Sequence, residues 1–325
     1  MTKKRQYKHF SLEVLTDKTE KSGVRRVELK ARDKYSRRRY AIERKGVTLF
    51  ANGLQRYLTK RPHKNHESKR NLARRLTYLT PAMRAWANYM PGGFATYHVH
   101  NPERLQIKNG KKLDLITKNL FRHSYDGQGL RSRSYAMAWW LHEHLHEKTN
   151  GIRWASIACG TGQPTFDASS IFVHPTHYLL IDSDTKALDF AQKLAESYDI
   201  DKSQLTVREL NVIKQRDDLT DELQLFAPDC IDAMGLLEYL TDEDAVELLA
   251  HLYEQLPKGG LLVFTNMLHS HPHLDVHKRA LCWPGVNVRE EKEVLALLKK
   301  AGVPADTTTI LLPDDGVYGV YGVRK

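Results

Sequence analysis

The alternation of apolar and polar positions becomes regular at about residue 126 and stays so to the end of the chain. Ala136, Met137, Trp140, Leu141 and Leu145 recur at helical spacing and predict one apolar stripe. Trp154–Ala158 is too short for a helix, reads as a strand and leads into Gly160-Thr161-Gly162. His177–Ile181 predicts a second strand, followed by a helix with Ala187, Leu188, Ala191, Leu194 and Ala195 on one face. Leu205–Leu210 and Cys230–Met234 read as the third and fourth strands. Thr241 with Asp244 opens a helix that aligns Ala245, Leu248, Leu249, Leu252 and Leu256. Leu261–Thr265 is a fifth strand, and Val288–Ala301 another amphipathic helix opened by Asn287. Thr308–Leu312 and Val317–Val323 close the pattern as two strands joined by Pro313-Asp314-Asp315-Gly316. Strands alternating with helices predict a parallel sheet covered on both faces, to which a closing hairpin adds one reversed strand. The expected fold is therefore α/β: a doubly wound, seven-stranded, mostly parallel sheet with an antiparallel last strand.

Upstream the pattern is different. The first 45 residues read as irregular and highly charged, with the composition of partial disorder. Helical spacing appears at Val47–Leu58, Ser68–Leu79 and Ala82–Tyr89, and Leu105–Lys108 with Lys112–Leu115 flank Asn109-Gly110 as a hairpin would. The chain thus divides into a basic, mainly helical region, 1–125, and an α/β domain, 126–325. Charge sharpens this division: residues 1–75 carry 24 lysines and arginines against 7 acidic residues, the rest 26 against 32. Cys159, Cys230 and Cys282 have neither disulfide nor zinc spacing, and no apolar run is long enough to span a membrane. No apolar core follows the basic start, so a cytoplasmic setting is expected.

The candidate chemistry begins where the first strand of the α/β domain meets its helix. In Ala158-Cys159-Gly160-Thr161-Gly162 small residues let the backbone approach a ligand, and the helix start offers free N–H groups. Asp182 ends the next strand, 22 residues after Gly160, where a carboxylate can accept from a ribose diol.

With these residues in this order, the sequence resembles the class I (Rossmann-like) S-adenosylmethionine-dependent methyltransferases over about residues 126–325. The resemblance implies S-adenosyl-L-methionine as cofactor and transfer of its methyl group. It also implies that Ile157–Gly162 approaches the cofactor's amino-acid part, that Asp182 holds the ribose and that Asn211 lies near the adenine. Gly235 belongs to the segment facing the methionine moiety, and Arg131 (or Arg133) of the stretch before the first strand would meet a carboxylate.

Methyl transfer needs a positioned nucleophile and, for some acceptors, a base. Glu238 and Tyr239 follow the fourth strand and are candidates, as is His269 from the cluster His269, His271, His273 and His277. A plain polar loop and substrate contact remain alternatives for that cluster. A metal is not expected, because Pro272 interrupts the spacing. The expected function is a small-molecule methyltransferase acting on an oxygen, with residues 1–125 as a cap. An RNA methyltransferase using the basic region, and a cofactor-binding protein without turnover, stand as alternatives.

Overall fold

The computed structural model describes residues 4–6, 10–62, 71–172 and 176–325. Three strands open the chain, β1 (Lys4–Gln6), β2 (Phe10–Thr19) and β3 (Arg25–Asp33), followed by helices α1 (Ala41–Thr59), α2 (Leu72–Thr77), α3 (Pro81–Trp86), α4 (Gly93–His100), α5 (Leu115–His123) and α6 (Tyr125–Leu145). The alternating part then runs β4 (Ile152–Ile157), α7 (Gln163–Ser169), β5 (Thr176–Asp182), α8 (Thr185–Glu196), β6 (Leu205–Glu209), α9 (Arg216–Phe226) and β7 (Cys230–Ala233). It closes with α10 (Asp242–Gln255), β8 (Leu261–Met267), α11 (Glu291–Lys300), β9 (Thr308–Pro313) and β10 (Tyr318–Arg324).

One sheet takes all the strands, in the order β1-β2-β3-β9-β10-β8-β7-β4-β5-β6. From β6 through β8 every pairing is parallel, and β10 runs antiparallel to both β8 and β9. The seven strands expected from the alternating pattern are therefore present, with the reversed last strand. The sheet is nonetheless larger than expected: β3 pairs in parallel with β9, and a β2–β3 hairpin extends it to ten strands.

That extension corrects the reading of the first 45 residues as irregular. Phe10, Leu12, Val27 and Leu29 are buried at alternate positions, whereas the interleaved Ser11, Glu13, Arg26, Glu28 and Lys30 are half-buried or exposed. The basic charge is used in the docking. Arg25 pairs with Asp17 and with Glu143 of α6, Arg32 with Asp314, and Arg26 with Glu20 and with Glu291 of α11. Thus a basic hairpin meets acidic groups of the α/β part. The expected hairpin around Asn109-Gly110 is reduced to a single bridge, Gln106 to Lys112. Of the helix expected at Ser68–Leu79, only Leu72–Thr77 is observed; residues 68–70 lie outside the described residues. The α11 helix starts at a Glu290–Glu293 capping box rather than at Asn287.

Two apolar cores lie on the two faces of the sheet. Ile152, Trp154, Leu261 and Val263 pack with α6, α7 and α8, and Ala155, Ile157, Leu262 and Phe264 pack with α9, α10 and α11. The split follows from the period of two along each strand. Trp139 and Trp140 are fully inside the first core. A third core, with Met83, Trp86, Phe121, Leu130 and Met267, joins the N-terminal helices to the carboxyl edge of the sheet, where ligands bind in open α/β folds.

Candidate functional site

The turn after β4 needs a left-handed backbone: Ala158, Gly160 and Gly162 have φ of 50°, 55° and 69°. Cys159 donates its N–H to the Ile181 carbonyl at 3.0 Å, and Gly160 donates its N–H to Asp182 Oδ2 at 2.7 Å. Asp182 Oδ1 accepts from the Asp184 N–H at 2.8 Å. The strand-end carboxylate therefore grips the glycine turn directly. Burial pushes its pKa up, against the pull of these amide hydrogen bonds. The Leu210 N–H donates to the Asp182 carbonyl, which ties the end of β6 into the same array. Asn211 follows, its Oδ1 accepting from the Ile213 and Lys214 amides.

The N-terminal region closes on this turn. A Cβ on Gly93, at the start of α4, would lie 2.8 Å from Gly160 Cα and 3.0 Å from the Thr161 nitrogen, so only glycine permits the approach. Phe94 and Tyr97 of α4 pack on Phe190 of α8, and Asn101 donates to Gln163 Oε1 at 2.7 Å.

On the other side of β4, the segment after β7 borders a cavity holding about 950 Å³ of empty space, mouth included. Its apolar walls include Val47, Phe50 and Leu54 of α1, Met83 and Trp86 of α3, Phe121 and Trp283. Gly235, Arg133, Glu238 and Tyr239 form its polar end. Arg133 lies 3.6 Å from Glu238, packs over the Tyr318 ring, and sits about 3.0 Å from where a Gly235 Cβ would be. Burial raises the Glu238 pKa, and Arg133 works against that shift. Arg133 Nε and Glu238 Oε2 are buried and each lacks a partner. A buried guanidinium and carboxylate with one open position apiece fit a zwitterionic amino-acid group. These residues, with the glycine turn and Asp182, suit the S-adenosylmethionine implied by the sequence resemblance.

Arg131 does not share this site. Its Nε donates to Asp33 Oδ2 at 2.6 Å, one Nη to the Val99 and Phe121 carbonyls at 3.2 Å, and the other Nη to the Arg122 carbonyl at 2.6 Å. Those carbonyls belong to the last turns of α4 and α5, which leave acceptors unpaired unless a side chain meets them. Two residues along α6, Arg133 points to the cavity instead. His269 also falls outside it: the ring is half-exposed and 4.0 Å from Glu293. His271, His273 and His277 are buried instead.

His273 is a neutral ring that donates from Nε2 to Asn52 Oδ1 at 2.8 Å, and burial lowers its pKa to about 4. His277 lies on a π-helical turn, Val276–Leu281, with its Nδ1 against Asp126 Oδ1 and its ring stacked on Trp283 at 5.9 Å. Both Asp126 and His277 line the cavity. The sequence reading missed Asp126, whose place in the first turn of α6 has no local signal. It also missed Arg289, which donates to Asp242, Asn266 and the Leu237 and Leu240 carbonyls and so fixes the Glu238–Tyr239 segment. Tyr239 in turn accepts from Trp283 Nε1 at 2.5 Å.

Residues 155–262 match the family described as a methyltransferase domain. Among solved structures, a possible exported protein from Bordetella parapertussis is similar, with 17% identity and a TM-score of 0.57 over 86% of this chain and 96% of that one. Magnesium protoporphyrin IX methyltransferase from Synechocystis PCC 6803, with bound S-adenosylhomocysteine, is similar at 13% identity and a TM-score of 0.50, over 74% of this chain and 98% of that one. At these identities the likeness concerns the fold. None of the curated proteins matches the chain by sequence. Among the described residues no helix is long and apolar enough to cross a membrane.

Proposed function

We propose that this chain, whose residues 155–262 match a methyltransferase domain, is a class I, S-adenosylmethionine-dependent methyltransferase that methylates a small, largely apolar molecule on an oxygen in the cavity under the N-terminal helices. The observation that carries this reading is the shared wall. Gly235, Arg133 and Glu238 of the cofactor end face the same cavity as Val47, Phe50, Leu54, Met83 and Trp86 of the N-terminal helices. Residues 1–125 are then the unit that selects the acceptor, and 126–325 the unit that holds the cofactor.

The bound cofactor supplies a methyl group on a sulfonium, an electrophile that needs no activation by the protein. The chain's contribution is to position, enclose and accept a proton. Asp182 would hold the ribose hydroxyls beside the Ala158–Gly162 turn, and Asn211 would border the adenine. Arg133 and Glu238 would take the carboxylate and ammonium of the amino-acid end. The apolar walls exclude water and hold the acceptor in line with the methyl group. Asp126 and His277 are proton-accepting groups on the cavity wall, which favours an acceptor that must lose a proton.

Incubation of the protein with methyl-labelled S-adenosylmethionine and fractionated cell extract tests the reading. Label should enter small molecules extractable into organic solvent. Label confined to RNA or protein would refute it.

A further inference from the structure

We propose that Asp126 and His277 form the proton-accepting pair of this site and that the acceptor presented to them is a phenol or enol hydroxyl on a flat, apolar molecule. The inference rests on the small-molecule reading above.

The carboxylate oxygen opposite His277 Nδ1 can only accept, so the ring's proton sits on Nδ1. That leaves a lone pair on His277 Nε2, which is buried, has no partner and belongs to a cavity-lining residue. A buried nitrogen without a partner is costly unless a ligand completes it. A hydroxyl donor is the simplest group that does so. The wall around it suits a planar guest, since Trp283 stacks on the imidazole and Trp86 lies 6.0 Å from Trp283.

The pair is oriented from behind. His271 Nδ1 accepts the His273 N–H at 2.9 Å, which places the His271 proton on Nε2, 3.4 Å from Asp126 Oδ1. Burial would raise the Asp126 pKa, but the hydrogen bonds of the two imidazoles, and their positive charge once protonated, outweigh it and hold the carboxyl well below its ordinary range. Asp126, His271 and His277 also place one potential metal-ligand atom each within 4.8 Å of one another. A cation there would need a lone pair from both rings. For His271 that would set an N–H against the His273 N–H, so the geometry favours a proton relay over a metal.

In the step, the acceptor hydroxyl gives its proton to the His277 Nε2 lone pair. Its oxygen forms the new bond to the methyl carbon while the carbon–sulfur bond breaks, and that electron pair leaves with sulfur as a neutral thioether. Asp126 stabilises the imidazolium, which returns its proton to solvent when the ether leaves. The other titratable groups around His277 are His271 behind Asp126, Glu238, Arg133 and Tyr239 across the cavity, and His273 turned toward Asn52.

The test uses the full chain and 4-nitrophenol, whose phenolate absorbs visibly. At a pH where the free probe is mostly protonated, binding to the wild type should raise the phenolate fraction several-fold. His277→Gln should bind the probe without that rise, and Asp126→Asn should show a reduced rise. With an acceptor in hand, His277→Gln should lower turnover about 10²–10⁴-fold. The acidic limb of the rate profile should move to lower pH in Asp126→Asn. A probe that fails to bind, or stays protonated in the wild type, overturns the proposal even if a variant misfolds. A phenolate band that persists in His277→Gln overturns it too. A band lost on dialysis against EDTA and restored by Zn²⁺ would replace the relay with a metal site. Unchanged methylation of a small molecule by His277→Gln would remove the pair alone, whereas label found only in RNA or protein would remove the functional reading and leave the spectral result standing.

Discussion

Replacing Arg131 with methionine separates a structural from a cofactor-binding role for this residue. The side chain is 4% exposed and its Asp33 partner 10%, and its nitrogens reach Asp33 and three carbonyls at 2.6–3.2 Å. Methionine would fill much of the space over the Tyr35 ring but leave those carbonyls and the Asp33 carboxylate without this donor. Removing one partner of a buried ion pair costs about 3–5 kcal/mol. Asp33 still accepts from the Tyr35 and Ser36 amides, so the lower end of that range applies. At ~2–4 °C per kcal/mol, the thermal midpoint should fall by roughly 6–12 °C. Urea unfolding followed by tryptophan fluorescence measures the loss, and calorimetric titration with S-adenosylhomocysteine measures the affinity of the folded protein. The expected result is a lower midpoint with affinity within about twofold of wild type. An unchanged midpoint with weakened binding would mean that the guanidinium belongs to the cofactor, and the assignment of Arg133 to that role would fall.

Other consequences can be measured in the same assays. Asp182→Ala should weaken S-adenosylhomocysteine binding by about 1–3 kcal/mol, the scale of charge-assisted hydrogen bonds; calorimetry showing no change would count against the ribose role. Gly93→Val would drive a side chain into the Gly160 backbone, and should cost about 1–3 kcal/mol of stability and lower cofactor affinity. A melt and titration matching wild type would show that α4 does not need that approach. Asp232 is buried within β7 and accepts from Trp154, Ser156 and Thr165, yet burial outweighs those bonds and pushes its pKa from 3.8 to about 6. Because the folded value lies above the unfolded one, its contribution to stability is complete below about pH 4 and is lost as pH rises through about 6. Asp232→Asn should therefore flatten the dependence of the thermal midpoint on pH across that interval. A variant that keeps the wild-type slope would assign it to other groups.

The alternating part of the fold was legible because each strand and helix announces itself locally. Leu248, Leu249 and Leu252 repeat at helical spacing on α10, and β8 opens with the apolar run Leu261–Phe264 just after Gly259-Gly260. The glycine turn and Asp182 were legible for a related reason: their separation is that of one strand–helix–strand unit, so sequence distance maps onto spatial contact. The β2–β3 hairpin did carry a local signal, the alternation of Phe10, Leu12 and Val14 and of Val27, Leu29 and Ala31. Charge of both signs on the intervening positions, Glu13, Arg26, Glu28 and Lys30, masked it, and its place beside β9 depends on acidic partners far along the chain.

The candidate cavity was not legible in the same way. Arg131 and Arg133 are two residues apart on one helix, and only the arrival of Asp33 and the ends of α4 and α5 decides which of them turns inward. Asp126 and His277 meet across 151 positions, whereas His269 is left half-exposed in the turn before His277. Local periodicity, turn chemistry and the spacing within one unit thus determined the layers, the reversed strand and the glycine turn. Tertiary packing alone decided how the basic N-terminal residues are used and which polar groups line the cavity, since pairing a buried charge depends on neighbours that sequence order does not bring near.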